Sequence, residues 1–208
     1  PASTGSTPKE ADFFIEKYAI AYDYSASLLV NRYGRTSDLP ERILLCAPLD
    51  FQKNEVKMAS LPDSEKEVKE IRLFFKANGE AEMSVGASAT EALLKSTQMS
   101  GYKYLHFATH GQVNESKPEL SRIFLAPTSN EDGSLYAGEI YNLKINADLV
   151  TLSACETGLG KIAKGEGIVG LSRAFQYAGA NNLIVSLWQV ADQSTAQLMI
   201  KFYDQHLH

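Results

Sequence analysis

Cysteine is scarce in this 208-residue chain. Only Cys46 and Cys155 are present, which excludes a disulfide framework and suits a reducing cytoplasm. No apolar run approaches the ~20 residues that a membrane-spanning helix requires. Residues 1–8 lack the basic start and apolar core of a secretion signal. Residues 1–10 therefore read as a linker or edge before a single domain over residues 11–208. Positive charge is also short: 20 Lys and Arg face 25 Asp and Glu, for a net charge of -5. The cations are scattered, whereas a nucleic-acid surface needs a basic patch or stripe. No H-E-x-x-H or paired-cysteine pattern is present, so neither zinc nor any other metal cofactor is expected. No internal repeat is visible. The helical pattern is still in phase at His206–His208, as in a piece of a longer polypeptide.

What is present is 44% hydrophobic residues arranged in short blocks. Apolar runs predict strands at 18–24, 42–47, 82–85, 102–109, 122–126, 148–153 and 182–188. Helical spacing predicts helices from Ser25, over 64–77, 88–98 and 165–178, and from Asp192 onward, with a turn or two at 138–143. Ser64 with Glu67, and Ser88 with Glu91, satisfy the capping-box pattern, and Asp192 is a helix-capping residue. Strands that alternate with helices imply right-handed crossovers and a mostly parallel sheet covered on both faces.

Two of these strands end in reactive residues. One apolar run, starting at Tyr104, closes with His110-Gly111. The other, starting at Asp148, closes with Ser153-Ala154-Cys155. In one parallel sheet both ends lie on the edge where open α/β sheets bind ligands. A histidine beside a cysteine makes a thiolate nucleophile and can later protonate a leaving amine. The amides of Gly111 and Cys155 are the candidate oxyanion donors. Small residues around the cysteine, Ser153 among them, leave room for a substrate backbone. The 45-residue separation accommodates a crossover, and caspases place a histidine about 50 residues before their cysteine.

Other motifs point less far. Gly165-Glu-Gly167-Ile-Val-Gly170 matches G-x-G-x-x-G, but it lies too far beyond the preceding strand for a dinucleotide fingerprint. Its glycines are better read as letting a helix pack closely. Gly160 to Gly165 has the Walker A glycine spacing, with Glu166 where lysine is needed. His106, four residues before His110 on the same strand face, reads as a core or supporting histidine.

The combination of His106-Phe-Ala-Thr-His110-Gly111, Leu152-Ser-Ala-Cys155-Glu-Thr-Gly158, the glycine-rich helix start through Phe175, Gly179-Ala180 and Ser186-Leu-Trp188 resembles the CHAT domain. That family is grouped with caspases, separases and gingipains and is often fused to tetratricopeptide repeats. The resemblance is strong from Tyr102 to Tyr203 and looser before it. It implies a caspase-like three-layer α/β/α sandwich with a mostly parallel central sheet, and a His110/Cys155 dyad that cuts a protein or peptide substrate. It also implies regulation by tetratricopeptide repeats or another domain or protein, while the cysteine usage, net charge and short apolar runs point to a cytoplasmic domain that contacts neither nucleic acid nor membrane. No maturation linker follows the cysteine, so a two-chain form is not expected.

Related peptidases hold a basic side chain before the scissile bond with an acid in the region of Asp192, which otherwise serves as a helix cap. Asp50, after the first sheet strand, is the second candidate. A desolvated carboxylate favours Arg or Lys there. Trp188 either walls the substrate pocket or fills core. The competing class is a catalytically silent interaction module that retains the fold.

Overall fold

In the computed structural model the chain divides into two compact units, Pro1–Arg35 and Thr36–His208. The described residues are 17, 18, 26, 29, 30, 37–75, 79–153, 155–156, 166–186 and 190–207; for 97, 155, 156 and 166–169 this means the backbone alone. In the first unit Ala26, Leu29 and Val30 are helical and exposed, and Tyr18 has no regular structure. The rest of the strand expected over 18–24 lies outside the described residues.

In the second unit the central sheet is five-stranded and parallel. Its strands are β1 (Arg42–Ala47), β2 (Glu80–Val85), β3 (Tyr104–Phe107), β7 (Leu149–Leu152) and β9 (Asn182–Val185), in the order β2-β1-β3-β7-β9. The three central strands are apolar on both sides because both faces are covered. Leu44, Cys46, Leu105, Phe107, Val150 and Leu152 share one core cluster with Leu171, Ala174 and Phe175 of helix α4 (Glu166–Tyr177). Ile43, Leu45, Ala47, Tyr104 and Leu149 join the other cluster, with Val68, Ile71 and Phe75 of α1 (Pro62–Phe75) and Met199 and Tyr203 of α5 (Asp192–Leu207). Two helices on one face and α4 on the other make a three-layer α/β/α sandwich. The short helices α2 (Glu91–Leu94) and α3 (Ala137–Ile140) supply Leu94, Ala137 and Ile140 to the α4 side.

A second, four-stranded sheet was not apparent from the sequence. Its order is β6-β5-β4-β8, from β4 (His110–Gln112), β5 (Arg122–Phe124), β6 (Ser134–Tyr136) and β8 (Cys155–Glu156). The expected strand over 102–109 is therefore interrupted. Ala108 still donates to the Cys46 carbonyl at 2.9 Å, and the Thr109 hydroxyl donates to the Phe124 carbonyl. This second bond carries the chain out of the central sheet and starts β4.

Two helix starts also differ from the spacing reading. Helix α1 begins at Pro62, two residues before Ser64, as suits a residue with no N–H to satisfy. Ser64 and Glu67 do not form a reciprocal cap. The Ser64 hydroxyl donates to Asp192 at 3.4 Å, and Glu67 pairs with His106 at 2.8 Å. The helix expected over 88–98 is reduced to the single turn of α2, flanked by 3₁₀ turns at Gly86–Ser88 and Thr97–Gly101.

His106 is buried between the sheet and α1 and α5. Its Nε2 meets the Glu67 carboxylate, and its ring lies 5.5 Å from the Tyr203 ring. Tyr203 hydroxyl in turn bonds Thr151 at 2.9 Å. Glu67, Thr151, Tyr203 and the Nε2 of His106 are thereby partnered, as burial demands, while His106 Nδ1 has no hydrogen-bond partner among the described residues.

Gly170 packs against Pro118: a Cβ there would come within 2.9 Å of the Pro118 Cβ. Close helix packing thus accounts for this glycine of the G-x-G-x-x-G pattern. Gly179 ends α4 at φ 115°, and a Cβ would lie 1.9 Å from the Ile145 carbonyl oxygen. We expect Gly179→Ala to cost about 2 kcal/mol or more, lowering Tm by about 4–8 °C. Differential scanning calorimetry checks this.

Candidate active site

The site is built where the two sheets meet, beyond the C-terminal ends of β3 and β7. Strand β4 begins three residues after β3 ends, and β8 begins three residues after β7 ends. The two short strands pair in parallel, with His110 opposite Cys155 and Gly111 opposite Glu156. Adjacent strands run about 4.8 Å apart, so the backbones of His110 and Cys155 are immediate neighbours. The main-chain ladder is continuous across the junction, since Ser153 N–H donates to the Phe107 carbonyl at 2.9 Å.

His110 is buried, with 4% of its surface exposed. Its ring meets Phe51 edge-on at a centroid distance of 4.6 Å. Its Nε2 lies 2.8 Å from the Ala59 carbonyl oxygen. A carbonyl only accepts, so Nε2 carries the hydrogen and neutral His110 has its lone pair on Nδ1. That Nδ1 is buried and has no hydrogen-bond partner among the described residues. Burial is the main influence on this imidazole and pushes its pKa below the ordinary histidine value. The Ala59 hydrogen bond and the negative charge of Asp192 act in the opposite direction. Burial thus disfavours the charged form of this histidine, and Nδ1 is the ring nitrogen left without a proton.

The loop between β1 and α1, residues 48–61, supplies this environment. It is closed by Leu61 N–H donating to the Leu49 carbonyl at 3.1 Å and by Gln52 Nε2 donating to the Met58 carbonyl at 2.9 Å. Asn54 Nδ2 reaches the carbonyls of Leu125 and Gly133 at 3.0 and 3.2 Å. Phe51, Met58 and Leu61 form an apolar plug with Phe124 of β5. Neither Ala59 nor Phe51 was singled out in the sequence. A backbone carbonyl leaves no trace in residue identity, and Phe51 looks like any core aromatic.

The remaining candidates fall in different settings. Gly111 lies between Ile123 of β5 and Glu156 of β8 in the second sheet. Ser153 is buried, and its hydroxyl has no hydrogen-bond partner among the described residues. Asp50 is exposed on the loop beside Phe51 and accepts the Gln52 N–H at 3.0 Å. Asp192, the first residue of α5, turns its carboxylate toward the start of α1. It accepts the Asp63 N–H at 3.0 Å and the Ser64 hydroxyl at 3.4 Å. Burial is the main cause of its raised pKa. Trp188 lies outside the described residues. Cys46 is wholly buried in the core, which pushes its thiol up to about 12 and leaves it without thiolate character near neutral pH. Among the described residues, no group of three or more His, Cys, Asp or Glu could hold a metal ion, and no helix is long and apolar enough to cross a membrane.

Because the folded state resists protonating His110 while the unfolded chain does not, stability is retained above the unfolded pKa. It declines as pH falls below about 6.5. We expect His110→Phe to flatten this part of the curve, as measured by denaturant unfolding between about pH 5 and pH 7.5.

Comparison with known proteins agrees with this architecture. The sequence model of the CHAT domain matches residues 1–208, the whole chain. Tetratricopeptide repeat protein 28 of Mus musculus is 26% identical over 157 residues, covering 60% of this chain and 6% of that protein. Its Homo sapiens counterpart has the same identity and coverage. The chain thus spans about a sixteenth of the length of these relatives. With a whole-length match, the parallel sheet between helical layers and the adjoining histidine and cysteine strands, the chain belongs to the CHAT domain family, whose fold is caspase-like.

Proposed function

We propose that this domain is a cysteine endopeptidase in which Cys155 attacks a peptide carbonyl and His110 moves the proton. The reading rests chiefly on one observation: the β4–β8 register sets His110 opposite Cys155, while the Ala59 carbonyl leaves Nδ1 as the basic nitrogen of the ring. In the forward step the imidazole takes the thiol proton. The thiolate adds to the carbonyl, and the amides of Gly111 and Cys155 hold the developing oxyanion. His110 then returns its proton to the leaving amine, and water hydrolyses the thioester. No metal or other cofactor takes part.

For the side chain before the cleaved bond we favour a basic residue. Asp50 is the acid we favour, because it is exposed and next in sequence to Phe51, whose ring meets that of His110, whereas the Asp192 carboxylate is engaged by α1. Ser153 and Trp188 complete the proposed substrate-binding set. The similarity to proteins named for tetratricopeptide repeats supports a regulatory partner or domain of that kind.

A thiol-reactive peptide ketone tests the chemistry. Labelling is expected at Cys155 and not at Cys46, to vanish in Cys155→Ala, and to slow by roughly 10²–10⁴-fold in His110→Ala. Equal labelling of both cysteines, or none at Cys155, would instead mark a silent interaction module. In a peptide library varied at the residue before the bond, Arg and Lys are expected to lead. Asp50→Asn should reduce that preference by roughly 10–100-fold, the loss of one charge-assisted hydrogen bond. A preference for Asp or an aliphatic residue would reject the acidic pocket.

A further inference from the structure

Within the proposed mechanism the orientation of His110 depends on a carbonyl that belongs to neither β4 nor β8. Ala59 lies three residues before Pro62, the first residue of α1, so the carbonyl is only as well placed as that helix start. The first N–H groups of a helix have no partners within it. Here the partner arrives from another element. Asp192 accepts the Asp63 N–H and the Ser64 hydroxyl, one with each carboxylate oxygen. A negative charge at a helix N-terminus is favoured by the helix dipole. It is opposed at this position by Asp63 and by Glu67, which faces Asp192 from one turn further along α1. The Asp192 carboxylate therefore takes both hydrogen bonds from α1 in spite of burial and two like charges.

We infer that Asp192 is the positioning residue of the site: by clamping the start of α1 it holds the Ala59 carbonyl against His110 Nε2, and so keeps Nδ1 as the basic nitrogen. Asp192 also acts on His110 through its charge, which favours the imidazolium against burial. The inference separates the two acids that the sequence offered for substrate recognition. Asp50 is left exposed on the loop, and the carboxylate of Asp192 is engaged by α1.

The His110 ring can be observed without substrate, by ¹⁵N NMR of the full chain labelled at histidine. In the parent protein one tautomer is expected, with Nε2 protonated. Asp192→Ala, with unchanged circular dichroism, should show mixed tautomers and alkylate Cys155 with iodoacetamide roughly 10–100-fold more slowly. Asp192→Asn keeps an acceptor oxygen but loses the charge. It should restore the single tautomer while the His110 midpoint falls, because the imidazolium has lost a neighbouring anion. The inference is overturned if Asp192→Ala keeps the parent tautomer and alkylates within about twofold of the parent rate. It is equally overturned if Asp192→Asn leaves the ring untouched and abolishes cleavage after Arg and Lys, which would return Asp192 to the substrate pocket. Should the parent cleave no peptide, the protease reading falls, while the ring spectra still decide the positioning role.

Discussion

A parallel ladder of two short strands, β4 and β8, is the constraint on which the functional reading depends. The strands are three and two residues long, too short to stand without support. Each is the continuation of a buried strand, β3 or β7, whose own register is set by both faces of the central sheet. A one-residue slip between β3 and β7 would send each strand's side chains to the wrong face. The apolar cores on both sides therefore enforce the alignment that carries forward to His110 and Cys155. Precision at the site is inherited from hydrophobic packing several residues away.

The second requirement is a neutral, oriented histidine, and here burial and hydrogen bonding act together. Withdrawal from water lowers the proton affinity of His110, while the Ala59 carbonyl selects the nitrogen that stays basic. Phe51 fills the space beside the ring, and the apolar plug beneath the loop limits its movement. A loop of fourteen residues, 48–61, would be an unreliable support if it were held only at its ends. Asn54 ties it to the carbonyls of Leu125 and Gly133, and Asp192 ties its exit to α5. The buried Glu67–His106 pair anchors α1 to β3 one turn further on. Removing one partner of such a pair leaves a buried polar group unsatisfied, which typically costs about 1–3 kcal/mol.

The contrast between Cys46 and Cys155 shows what position does to one residue type. Cys46 lies within β1, between two core layers, where burial holds it as an inert thiol. Cys155 is placed past the end of its apolar strand, at the edge where the sheet opens. Composition alone would treat the two alike. The strand ends separate them, and that difference was visible in the order of apolar and small residues.

Five parallel strands and the principal helices were legible because their determinants are local. Apolar runs such as Ile43–Ala47 need burial on both faces, and the spacing of Val68, Ile71 and Phe75 or of Leu171 and Phe175 needs a helix face. The placement of His110 and Cys155 at the ends of two apolar runs was legible for the same reason. The second sheet was hidden, since β6 is three residues long and β4 looked like the tail of β3. Their identity as strands comes from partners distant in the chain. The capping pattern at Ser64 and Glu67 misled because tertiary contacts with Asp192 and His106 took those side chains. What the sequence by itself determined is the layered α/β architecture and the placing of a histidine and a cysteine at the ends of two apolar runs. Only the tertiary structure decided which nitrogen of His110 is basic and which acid faces α1, because those choices depend on a backbone carbonyl and on helix ends that converge in space without being near in sequence.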